Sequence, residues 1–132
     1  MPRRPGTGLY LVFREAHDAG RYALELNAVI NSRDWSAVGL PGGLRLRIAL
    51  HSGPVYCGRD PITGLGLFTG PHTSRTAGIE PITPPGQVYA SAAFAAVAVA
   101  SGADDLALHY VGRLSLAKGR GLLSLYHVDG AR

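Results

Sequence analysis

The sequence predicts a single mixed α+β domain, with helices packed mainly on one face of a sheet. Three observations predict it. Apolar runs bounded by glycine and proline alternate with stretches of helical period. Gly-rich turns join neighbouring apolar runs as hairpins would. The length of 132 residues suits one core and one domain, 1–132.

Leu9 to Phe13 is a continuous apolar run after a Gly-Thr-Gly turn and reads as a buried strand. Ala16, Ala19, Tyr22, Ala23, Leu26, Val29 and Ile30 then recur at helical spacing, which predicts an amphipathic helix from about Glu15 to Ser32. Gly39-Leu-Pro-Gly-Gly43 breaks the chain. Leu44, Leu46, Ile48 and Leu50 alternate with Arg45, Arg47 and Ala49, as in a strand with one greasy face. His51-Ser-Gly-Pro54 turns the chain, and Val55 to Cys57 runs back as a short strand.

Thr73 to Glu80 has the composition of a short helix, and Pro81, Pro84, Pro85 and Gly86 then bar regular structure. Gln87 to Ala90 reads as a brief strand. Ser91 is placed to cap a helix over Ala92 to Ala100, which ends near Gly102. Leu106 to Val111 and Leu122 to Val128 are the last strands, joined through Gly112 to Gly121.

Composition excludes several function classes. An apolar fraction of 46% supports a buried core, yet no run is long enough to span a membrane. The basic N-terminus lacks the apolar stretch of a signal peptide. A lone cysteine, Cys57, rules out an internal disulfide, and together these features predict a cytoplasmic protein. The net charge of +4 favours phosphate. The arginines are scattered, however, and no basic stripe interleaved with aromatics is present, so no nucleic-acid partner is expected. His17, His51, His72, His109 and His127 show no metal-ligand spacing with one another or with Cys57, and read as surface or partly packed side chains.

Four stretches, in chain order, carry a likeness. They are Gly6-Thr-Gly-Leu-Tyr-Leu-Val-Phe13, Leu46-Arg-Ile-Ala-Leu-His-Ser-Gly-Pro54, the run from Gly70 through Ser74, Arg75 and Gly78 to Tyr89, and Leu116-Ala-Lys-Gly-Arg-Gly121. They resemble the Gly-Asp-Gly hairpin, the Arg-Ile-Gly-Ile-His-Thr-Gly strand and turn, the dimer-and-active-site helix with its following strand, and the Val-Lys-Gly-Lys-Gly hairpin of class III adenylate and guanylate cyclase catalytic domains. The resemblance implies a ferredoxin-like, cyclase-type sheet. It places Met1 well inside the family's domain, beyond the first strand.

Cyclisation joins a ribose 3′-oxygen to the α-phosphate and expels pyrophosphate. Two divalent ions hold the phosphates and activate the hydroxyl in such displacements, and hard ions want carboxylate oxygens. The family supplies two aspartates. The first has no counterpart here, and Thr7 occupies the position of the second. No metal or other cofactor is therefore expected for this chain, with Mg²⁺ or Mn²⁺ implied only if it is active.

The family's helix carries an Asn that positions ribose and, four residues on, an Arg that stabilises charge on the α-phosphate. Ser74 and Gly78 stand at those positions. Serine can still hydrogen-bond; glycine offers no side chain. Arg75, three residues before Gly78, falls on roughly the same side of a helix and is the candidate replacement. Lys118, the sole lysine, matches the family's triphosphate-binding lysine, and Arg120 adds charge beside it. Arg3 and Leu67 fall where the family reads the purine; leucine cannot read a base edge.

The resemblance thus implies a degenerate cyclase-like domain, regulatory or dimerising in nucleotide signalling. Its expected partners are a second copy or another cyclase-like domain, and a purine nucleoside triphosphate. Sheet edges left open by the absent strand imply an altered dimer or strand pairing across chains. Two alternatives stand beside this: an active cyclase completed by an upstream segment or a partner, and a nucleotide-binding or protein-interaction scaffold.

Overall fold

The computed structural model describes residues 9–40, 42–54, 56–59, 61–62, 66–69, 71–119 and 121–130. Its first element, α1, spans Ala16–Ser32, close to the range that the apolar period predicts. Trp35 closes its end: the indole Nε1 donates to Ile30 O at 2.9 Å, and the Arg33 guanidinium lies 5.3 Å from the ring centroid. A helix end leaves carbonyls without intrahelical partners, and the indole satisfies one of them.

The strands are β1 Arg47–Leu50, β2 Tyr56–Arg59, β3 Gly66–Thr69, β4 Gln87–Ser91, β5 Leu106–Ser115 and β6 Leu122–Gly130. A four-stranded mixed sheet has the order β1-β4-β6-β5, and β2 and β3 form a separate hairpin. β1 and β4 are parallel, with Arg47 opposite Gln87 and Leu50 opposite Ala90. Parallel neighbours need a long crossover. Here it contains the β2–β3 hairpin and the helix α2, Pro71–Ile79. The pairs β4–β6 and β5–β6 are antiparallel, with an irregularity between Tyr110 and Gly112.

Side-chain alternation divides the core into two layers. On one face Leu50, Val88, Ala90, Leu106 and Val128 meet Ala23 of α1 and Phe94 and Ala98 of α3, Ala92–Ala100. On the other, Tyr89 and Leu125 meet Ile79 at the end of α2 and Leu116. Two of the three helices therefore share a face, as the sequence predicts, and α2 covers part of the opposite one. Gly20 lets α1 approach the sheet: a Cβ there would lie 2.7 Å from Leu106 Cδ1. Strand β4 is buried from Val88 to Ser91, as befits a strand covered on both sides.

Three expectations need correction. Leu9–Phe13 is not a strand, and all five residues are exposed. A strand exists only through hydrogen bonds to a neighbour, and among the described residues none pairs with this segment. The strand β3, not foreseen, pairs with β2, with Cys57 opposite Phe68. A short 3₁₀ turn, Glu80–Ile82, forms in the proline-rich stretch. Pro81 is tolerated because the first turn of a helix leaves its N–H groups unpaired anyway.

Candidate functional site

The site is assembled by two buried anchors. Ile79, fully buried at the end of α2, and Leu116, just before the Ala117–Gly119 turn, share the small core formed with Tyr89 and Leu125. Thr83 is buried too, and its hydroxyl donates to Ile79 O at 2.9 Å, fixing the exit of α2. The turn is closed by Leu116 N–H donating to Gly121 O at 2.7 Å, with Gly119 and Gly121 both at positive φ. Since these anchors adjoin Gly78 on one side and Lys118 on the other, the backbone that carries Lys118 lies against α2.

Helix α2 carries Ser74, Arg75 and Gly78, and packs on β1, β3 and β4. Arg75 is exposed, whereas Gly78 is buried, so the guanidinium starts from the solvent side of the helix. Leu67 lies on β3 in the hairpin that α2 touches. Arg3, Thr7 and Arg120 lie outside the described residues. The topology thus brings Ser74, Arg75, Gly78 and Lys118 into one neighbourhood by their backbone positions.

Chemically, that neighbourhood offers cations and a hydroxyl. Groups of this kind suit an anion. None of these four residues is a carboxylate. Among the described residues, no three His, Cys, Asp or Glu side chains stand close enough together to hold a metal.

Two features escaped sequence reasoning. His51 Nδ1 lies 2.6 Å from Ser91 Oγ, linking the turn after β1 to the end of β4. Across the sheet, Tyr89, His127 and His109 stand in register on neighbouring strands. The imidazoles stack at 6.0 Å, and Tyr89 meets His127 edge-on at 6.4 Å. The alternation Leu123, Leu125, His127 along β6 is the signal for the second; nothing in the sequence marks the first. His109 is exposed and His127 half-buried, as surface and partly packed histidines should be.

The ion pairs lie elsewhere. Asp105, before β5, accepts from His17 at 2.7 Å and faces Arg21 at 3.5 Å, both on α1. The hydrogen bond from His17 is the main reason its carboxyl titrates below the usual aspartate range; burial opposes this, and Arg21 adds to the lowering.

No protein-family model matches the sequence, and no curated protein matches it. Solved structures do match the fold. The guanylate cyclase domain of RhGC from Catenaria anguillulae, in complex with GTP, superposes with a TM-score of 0.69 over 92% of this chain, at 18% identity. This is the fold of a class III nucleotidyl cyclase catalytic domain. Adenylate cyclases from Trypanosoma brucei in their monomeric state share it, with a TM-score of 0.74 over 87% of this chain at 19% identity. So does a dimeric guanylyl cyclase domain of the RhoGC fusion protein from Blastocladiella emersonii, at 0.67 over 92% and 16% identity. The chain spans less than two thirds of each of these cyclase chains: 63%, 63% and 62% in that order.

Proposed function

We propose that this chain is a nucleotidyl-cyclase-like module of cytoplasmic nucleotide signalling that binds a purine nucleoside triphosphate or pairs with another cyclase-like domain, and does not cyclise nucleotide by itself. One observation carries the reading. In a cyclase fold, the helix that faces the Lys118 turn presents a buried glycine, Gly78, where the resemblance places the arginine for the α-phosphate.

Three roles follow. Lys118, with Arg120 beside it in sequence, attracts the triphosphate. Ser74 hydrogen-bonds ribose. Arg75, exposed on the same helix, offers a guanidinium to the phosphates. Arg3 is the remaining candidate for contact with the base. The missing element is charge neutralisation at the reacting phosphate, because Thr7 is a poor ligand for Mg²⁺ or Mn²⁺. No described helix is long and apolar enough to cross a membrane.

Calorimetry with non-hydrolysable ATP and GTP analogues tests the binding role. Binding by the parent chain that is lost in Lys118→Ala supports it. Equal binding by both removes Lys118 from the site, and none by either at millimolar analogue removes nucleotide from the function.

A second reading has an observation in its favour: the chain spans 63% of a domain that was captured with GTP. On this reading, carboxylates from a partner or an adjoining segment complete the site, and the completed assembly cyclises ATP or GTP with Mg²⁺ or Mn²⁺. Activity that appears only on mixing with such a partner distinguishes it from the first.

A further inference from the structure

His109 and His127 are far apart in sequence, yet they stand directly opposite each other on β5 and β6. Opposed residues of an antiparallel pair hold their Cβ atoms about 4.5–5.5 Å apart and send both side chains to one face. Here it is the face away from α1 and α3, because the neighbouring pair Leu108 and Val128 packs into the core with Phe94. The imidazole planes are 28° apart with centroids at 6.0 Å, so the rings face each other. Among the described residues, the histidines that form hydrogen bonds through a ring nitrogen are His17 and His51. His109 and His127 thus each keep a nitrogen lone pair in the neutral form.

The donor set chooses the ion. Asp129 shares this face, two residues on from His127, but its carboxylate accepts the adjoining Gly130 N–H at 3.2 Å. Among the described residues no third His, Cys, Asp or Glu completes the group. Mg²⁺ and Ca²⁺ want oxygen ligands, whereas imidazole suits Zn²⁺, Ni²⁺ and Cu²⁺. A metal–imidazole bond is about 2.0–2.1 Å long, so the two ligating nitrogens must come within about 4 Å of each other. The two rings are unequally held. His127 is half-buried and meets Tyr89 edge-on at 6.4 Å, while His109 is exposed and has room to turn toward it.

We propose that His109 and His127 form a two-imidazole site for a late first-row divalent metal ion, Zn²⁺, Ni²⁺ or Cu²⁺, with water in the remaining positions. Pairing of β5 with β6 runs from Leu106 opposite Gly130 to Ser115 opposite Leu122, so the backbone fixes both ligands on rigid strands. The Ala117–Gly119 turn lies between these strands. A bound ion therefore staples the hairpin whose tip carries Lys118. The site depends neither on nucleotide binding nor on the residues at either end of the chain.

Calorimetric titration of the full chain with Ni²⁺, and with Mg²⁺ as the control, tests it. The expected result is one Ni²⁺ per chain and no Mg²⁺. His109→Gln and His127→Phe should each weaken Ni²⁺ binding about 100-fold, the order of gain when two weak sites hold one ligand. The second substitution keeps a ring against Tyr89. In the parent chain, Zn²⁺ should shift the ring resonances of both histidines together in long-range ¹H–¹⁵N NMR, a readout that does not depend on how the variants fold. No binding at millimolar Ni²⁺, equal binding of Mg²⁺, Ni²⁺ binding that either substitution leaves unchanged, or Zn²⁺ shifts confined to one of the two rings would each overturn the proposal.

Discussion

Ser91 Oγ lies 2.6 Å from His51 Nδ1 and also accepts the Phe94 N–H at 3.1 Å, so one fully buried hydroxyl joins the end of β4, the turn after β1 and the first turn of α3. Removing it leaves the Phe94 N–H without its cap. Ser91→Ala should destabilise the fold by about 1–2 kcal/mol, the upper part of the range for lost helix caps. Ser91→Thr should recover part of this. Urea unfolding of the three proteins checks the order.

Gly20 is a packing residue. Its missing Cβ would meet Leu106 Cδ1 at 2.7 Å and Phe94 Cζ at 3.4 Å. Gly20→Val should therefore cost about 1–3 kcal/mol from overpacking, more than any gain from a better helix former. A thermal midpoint equal to that of the parent would show that α1 can move off the sheet freely.

Asp105 sets an acid-side effect with a definite sign. Its carboxyl titrates lower in the folded chain, chiefly through the hydrogen bond from His17. A group depressed on folding stabilises the fold above its unfolded value and loses that contribution as pH falls through the folded value. The loss should therefore fall below the ordinary value of 3.8. Asp105→Asn should flatten the dependence of stability on pH in that window. The effect is small because both side chains are open to solvent.

Gly78→Arg tests whether a guanidinium alone restores chemistry. Because Gly78 is buried, the substitution should lower stability by about 1–3 kcal/mol. It should yield no cyclic nucleotide, since the carboxylates for metal are still lacking. Product formation by this variant would shift the defect from the metal ligands to the arginine.

How much of this was legible in the sequence follows from how local each signal is. Helix α1 is set by its own apolar period, and Ser91 caps α3 from three residues away, so both were readable. Leu9–Phe13 has a strand's composition but, among the described residues, no strand beside it, and composition cannot say whether a partner exists. Gly66–Thr69 is too short, with glycine at its head, to announce itself before β2 is known to lie opposite. The motif positions Ser74, Arg75 and Lys118 were visible. That α2 lies against the Ala117–Gly119 turn was not, because it depends on Ile79 and Leu116 sharing one core across 37 residues of chain. The His51–Ser91 link likewise joins residues 40 apart in sequence.

The central claim is that this domain keeps the cyclase fold without the means to run the reaction. Incubating the purified chain with ATP or GTP and Mn²⁺, and following cyclic nucleotide and pyrophosphate, tests it most directly. The account predicts neither product above a protein-free control. Steady turnover by the isolated chain, abolished in Lys118→Ala, would contradict it.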